Sequence, residues 1–250
     1  MRIDYTNLID SATVPTALTA DLAYPVANLQ NQRLAKVWRS TAVTAQTVVV
    51  DLGTATTVQT AAVMGHNLTA GAVITLEGNA ADSWGSPSVS TTITTIVGGM
   101  CLNYFTGGAQ RYWRFTLDNA TGGTSYIEVG RLWLGDYLDI DPTSLNDFSV
   151  TKHRSDTVTH GRGRQKYSTQ GVGWRSFRLS FPRTGGTMLT AIQTMYDAIG
   201  NHRSVIFSNF NTRRDYPIVE PCYVSVNGDL TFNHTRAMKF SYSLQLEEEL

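Results

Sequence analysis

The chain has 250 residues, room for two domains of ordinary size. Its twenty basic and twenty acidic side chains cancel, which excludes a global field steering it to nucleic acid or to an anionic membrane. Charged residues make up only 16% against 42% hydrophobic ones, so part of the surface is expected to be covered by neighbours.

No basic-then-apolar leader opens the chain, and no run of ~18 apolar residues interrupts it. Neither a signal peptide nor a membrane span is expected, and folding in a reducing cytoplasm is. Residues 46–52 alternate with Val48, Val50 and Leu52 on one face, and in 111–117 Trp113, Phe115 and Leu117 do the same while Arg114 and Thr116 face away. Both read as half-buried strands. Gly98-Gly99, Gly107-Gly108 and Gly122-Gly123 punctuate the strands at short intervals, the pattern of antiparallel sandwiches and not of strand–helix repeats.

The domain boundary is expected within residues 135–145, where the apolar run Trp133-Leu134-Gly135 gives way to Asp136, Asp139, Asp141 and Pro142. Charge changes sign there: residues 1–136 hold 7 basic and 9 acidic side chains, residues 137–250 hold 13 and 11. Beyond it, Phe177, Leu179 and Phe181 alternate with Ser176, Arg178 and Ser180, and Met238, Phe240, Tyr242, Leu244 and Leu246 alternate with polar residues in the cleanest strand of the chain. Met188, Ile192, Met195 and Ile199 recur at helical spacing, with Leu189 and Tyr196 widening the stripe. They predict one helix over 187–199, with Thr184 or Thr187 to cap it and Gly200 at its end. The methionines on that stripe are read as core.

Catalysis needs convergent titratable groups. The histidines His66, His153, His160, His202 and His234 show no metal-binding spacing, and no nucleophile elbow, phosphate loop or dinucleotide fingerprint occurs. Asp51, Asp118, Glu128 and Asp215 read as turn or strand-end residues, and Glu247-Glu248-Glu249 as a solvated chain end. Cys101 and Cys222, far apart, read as two buried free thiols. No enzyme, metal or cofactor is predicted.

Residues 151–175 are polar and basic, with almost nothing apolar and three glycines between Gly161 and Gly171. Such a stretch reads as a nucleic-acid contact, as a solvated hairpin, or, the favoured reading, as an arm that a subunit extends across its neighbour. Its contact residues are then Arg154, His160, Arg162, Arg164 and Lys166, arginine being suited to carboxylates and carbonyls in fixed geometry.

The first domain resembles the discoidin-like, galactose-binding-like β-sandwich family. The resemblance rests, in family order, on Tyr24 to Asn31 with Val37-Trp38-Arg39-Ser40 after it, on Val50-Asp51-Leu52-Gly53, on residues 58–66, on Tyr112-Trp113-Arg114-Phe115, and on Glu128-Val129-Gly130-Arg131-Leu132-Trp133-Leu134-Gly135. It implies core positions for Trp38 and Trp113, strand-end pins at Glu128 or Arg131, and ligand binding through loops at one end of the sandwich, often to carbohydrate. Trp84 is then the leading aromatic for stacking on a sugar, and Tyr104 the second.

The pairing of this module with a C-terminal domain of strands and one helix resembles tail-tip proteins of long-tailed phages, especially distal tail proteins, although many of those begin with the ring domain. The matching features are the strand at 174–181, one helix, a strand at 204–207, the Tyr216-Pro217 to Tyr223 segment and the last strand. The fold class expected is therefore all-β with one helix: a galactose-binding-like sandwich over 1–136, then a ring-forming tail sandwich over 137–250 carrying the arm. The function implied is a virion structural protein of the tail tip or baseplate. It would form a homo-oligomeric ring, hexameric by the resemblance, touching tail tube, tail hub and host surface carbohydrate. A host-glycan adhesin, and an accessory module of a polysaccharide-degrading enzyme, are the alternatives.

Overall fold

The computed structural model describes residues 1–122, 124–140, 147–184, 186–208, 220–236 and 239–249. Asp141, Pro142, Asp215, the Tyr216-Pro217 stretch and Met238 lie outside the described residues. Its strands run in the order β1 (Arg2–Asp4), β2 (Thr16–Ala17), β3 (Trp38–Arg39), β4 (Gln46–Thr57), β5 (Thr60–His66), β6 (Val73–Asn79), β7 (Val89–Ile93), β8 (Cys101–Tyr104), β9 (Ala109–Asp118), β10 (Glu128–Gly135) and β11 (Leu138–Asp139). The second half continues with β12 (Asp147–Arg154), β13 (Thr157–His160), β14 (Lys166–Thr169), β15 (Gly173–Thr184), the helix α1 (Gly186–Ile199), β16 (Ser204–Ser208), β17 (Cys222–Val226), β18 (Asn233–Arg236) and β19 (Lys239–Glu248). The chain is all-β with one α-helix among the described residues, as its alternation predicts.

Two compact units divide it: Asp4–Tyr137, and Met1–Ile3 together with Leu138–Leu250. This differs from the contiguous 1–136 and 137–250 split. Arg2 pairs with Asp139 and Ile3 with Leu138, and the Met1 ammonium donates to the Ile140 carbonyl at 3.1 Å. The first unit is thus an insertion between two paired strands of the second. A three-residue strand has no readable period, and its partner lies far along the chain.

The Asp4–Tyr137 unit is a sandwich of a five-stranded sheet, β2-β4-β9-β6-β7, and a four-stranded sheet, β3-β10-β5-β8. Alternation sends Val48, Val50, Ile74, Leu76, Trp113, Phe115 and Leu117 from the first sheet into one core with Trp38, Val63, Cys101, Val129 and Leu132 from the second. Outward positions of the five-stranded sheet carry Thr47, Val49, Glu77 and Arg114, none of them in the core. Gly78 belongs to β6 for a steric reason: a Cβ there would lie 2.8 Å from Cζ3 of Trp113. In the other sheet β3 is too short to pair with all of β10. Asn7 takes over, donating to the Leu132 carbonyl at 3.0 Å and accepting from the Leu134 amide at 3.1 Å.

In the second unit, eight strands make one sheet among the described residues, in the order β11-β1-β16-β17-β19-β15-β12 with β18 on β19. One face is apolar: Phe177, Leu179, Phe181, Tyr242, Leu244 and Leu246 are buried, and Phe181 stacks on Tyr242 at 4.5 Å. The helix predicted over 187–199 spans Gly186–Ile199, burying Ile192, Met195 and Ile199, and ends where Gly200 takes a left-handed φ of 53°.

Candidate functional site

Trp84 sits in the loop joining β6 to β7. Asn79 organises that loop, donating to the Ser83 carbonyl at 2.6 Å and accepting from the Ala80 amide and the Ser88 hydroxyl. The indole does not project from the tip. It is half-buried, its Nε1 donating to Asp82 at 2.8 Å, with the Arg114 guanidinium 4.6 Å from the ring centroid. Arg114 is itself held by Glu77, at 2.8 and 2.6 Å from Nε and Nη2. The result is a rigid aromatic plane backed by an ion pair on the outward face of the five-stranded sheet, suited to stacking by hydroxylated rings.

Tyr104 stands elsewhere, on β8 at the edge of the four-stranded sheet. Its hydroxyl donates to the buried Asp4 at 2.9 Å, and its ring meets Tyr137 edge-on at 5.1 Å. Trp84, in a loop of the five-stranded sheet, and Tyr104, on a strand of the four-stranded one, therefore belong to different networks.

Asp51, Glu128 and Asp118 all have partners. Asp51 makes two 2.8 Å bonds to Arg111, which hold its carboxyl down at about 2, so it stays ionised and cannot serve as a general acid near neutrality. Glu128 pairs with Arg39 at 2.7 Å, and the rings of Tyr24 and Tyr126 sandwich that guanidinium at 4.0 and 4.1 Å. Glu128 thereby pins β10 to β3, while buried Arg131 reaches Asp10 at 2.7 Å. Asp118 accepts from the Ala120 amide at 3.0 Å, a turn role.

Sequence reading missed one pair: His66 and Cys101, 35 residues apart, meet with Nε2 3.0 Å from Sγ. The contact resembles a nucleophilic dyad but works the other way. The Leu68 amide donates to Nδ1, placing the imidazole proton on Nε2. Burial lowers the His66 pKa and raises that of Cys101, so both stay neutral where a nucleophile would need thiolate and imidazolium. Cys222 is equally inert, its thiol pushed up to about 12 chiefly by burial. Both cysteines are free and buried, as expected.

A pH dependence arises from His66. With its folded pKa below the ordinary 6.5, the unfolded chain takes up the proton first, so His66 contributes stability above that value that is lost on acidification. The melting temperature should fall between about pH 7 and 5, and His66→Gln should flatten that slope in a thermal-unfolding series. An unchanged slope would show that burial of His66 is not felt.

The arm forms a two-stranded ribbon of its own. Thr157 pairs with Thr169 and His160 with Lys166, and the turn closes through the Gly161 amide on the Gln165 carbonyl at 2.9 Å, with Gly163 and Arg164 at φ 95° and 62°. At its root the Gly171 amide donates to Asp156 at 2.8 Å. His160, Arg162, Arg164 and Lys166 are exposed around the tip, while Arg154 pairs with Asp156 at 3.1 Å. All of residues 154–172 are exposed except Gly161 and Gly171, which are half-buried.

Among the described residues, no three His, Cys, Asp or Glu side chains group as metal ligands, and no helix is long and apolar enough to cross a membrane. No protein-family model and no curated protein matches the chain. Solved structures align with about half of it. Chitosan-binding module 1, derived from a chitosanase/glucanase from Paenibacillus sp. IK-5, is 24% identical over 52% of this chain and 99% of its own, with a TM-score of 0.41. A Streptococcus pneumoniae fucose binding module is 11% identical over 52% and 95%, at 0.43. The family 32 CBM from C. perfringens NanJ, in complex with galactose, is 13% identical over 54% and 100%, also at 0.43.

Proposed function

We propose that the chain is a non-catalytic building block that joins copies of itself through the ribbon of β13 and β14 and presents its sandwich unit outward. One observation carries this reading. Nearly every residue of a long basic ribbon is exposed, including Val158, Tyr167 and Val172 at 47%, 57% and 61%. A two-stranded hairpin alone in water is marginally stable, so a ribbon kept this long and this bare calls for a partner surface. The tail-tip resemblance supports the same reading: a sheet, one helix and a long hairpin occur together, and the chain's first strand belongs to that unit. On this reading the protein is a virion component, ring-forming and in contact with other tail proteins. Sedimentation velocity on the full chain and on a ribbon-deleted variant tests it.

A second reading has its own observation. Trp84, held flat over Arg114 and locked to Asp82, is what a sugar-contacting loop needs, and it favours an outward sandwich that touches host carbohydrate. If so, titration with galactose, L-fucose and chitosan oligomers should give saturable binding that Trp84→Ala weakens at least about tenfold, while Tyr104→Phe leaves it unchanged. Binding equally strong in Trp84→Ala would remove the indole from the site.

A further inference from the structure

The second unit carries a cleft that the building-block reading does not use. It is an open groove of about 450 Å³ on the polar face of β12, β15 and β19, within the range of small-ligand sites. Strand alternation builds it. Phe177, Leu179, Leu244 and Leu246 turn to the buried face, leaving Ser176, Arg178, Gln245 and Glu247 on this one. Register then aligns them in rows: Ser149, Arg178 and Gln245 stand side by side, Thr151, Ser176 and Glu247 form the next row, and His153 faces Trp174 at the end.

That end is preorganised. The His153 and Trp174 rings stack at 5.2 Å and 18°. The indole Nε1 donates to one Glu247 oxygen at 2.9 Å, the Asn227 amide donates to the other at 2.6 Å, and His153 Nε2 meets the Ser176 hydroxyl at 2.8 Å. An ordinary solvated sheet face has no reason to fix a tryptophan and a carboxylate so fully. The adjoining rows differ: Arg178, Gln245, Ser149 and Thr151 are exposed.

The charges decide the ligand class. One guanidinium and one carboxylate offset each other within the cleft, so neither an anion nor a cation is favoured. What remains, beside the stacked His153–Trp174 pair, is a dense set of donors and acceptors for adjacent hydroxyls. We propose that this cleft binds a neutral saccharide of two or three rings, independently of Trp84.

The test is saturation-transfer NMR on the full chain with cellobiose, maltose, lactose and N,N′-diacetylchitobiose at millimolar concentration. The wild type should transfer to at least one of the four. Trp84→Ala should retain that transfer, and the double variant Arg178→Ala/Gln245→Ala, altered only at exposed positions, should weaken affinity about tenfold or more. No transfer from the wild type to any of the four sugars overturns the proposal. So does transfer that the double variant leaves intact; if Trp84→Ala then abolishes it, the sugar belongs to the sandwich.

Discussion

Replacing residues 156–171 by a two-residue Asn-Gly turn should convert a multi-copy species into a monomer with nearly unchanged thermal stability. The strands flanking the ribbon keep their ladder, since Arg154 still pairs with Gly173 and His153 with Trp174, and Asn-Gly suits a tight hairpin. None of the deleted residues is buried, so no core contact is lost with them. Loss of assembly in sedimentation velocity, with folding retained by circular dichroism, is therefore the expected pair of outcomes. Because the tip is basic, association should also weaken in about 1 M salt, where screening acts within ~3 Å. Copies that still associate after the deletion would refute the building-block reading, as would a wild type that is monomeric at every concentration.

Trp113→Ala should be the most damaging single substitution in the sandwich, costing about 3–5 kcal/mol in denaturant unfolding. The ring is fully buried at the centre of the five-stranded sheet, near Phe105 at 5.9 Å and directly over Gly78. That last contact allows a sharper test. Gly78→Ala alone forces a methyl against the indole and should cost about 1–3 kcal/mol. In the Trp113→Ala background the methyl enters the space the ring has left, so the double variant should be less destabilised than the two costs combined. Simple additivity would mean that Gly78 is required by the backbone and not by the tryptophan.

These results bear on function through rigidity. Arg114 is the next residue after Trp113 in β9 and carries the Trp84 platform on the opposite face, so the core residue fixes the strand that positions the outward one. Variants at Trp113 should accordingly lose any Trp84-dependent binding in parallel with stability, whereas Trp84→Ala should leave the melting temperature nearly unchanged.

Local pattern in the sequence was enough to establish the strands that alternate, the helix and the inward face of Trp113, while the core position of Trp38 came from the family resemblance. Trp113, Phe115 and Leu117 share a face because side chains repeat every two residues in a strand, whatever that strand pairs with. Features that depend on pairing across long separations emerged only from the folded chain. Folding sent Met1–Ile3 to the second unit, set Tyr104 in a different network from Trp84, brought His66 to Cys101, and lined Trp174, Ser176 and Arg178 up with residues of β12 and β19. Alternation says which residues share a strand face, but register says which strands share a site, and register is set by contacts between distant segments that leave no periodic trace in either one.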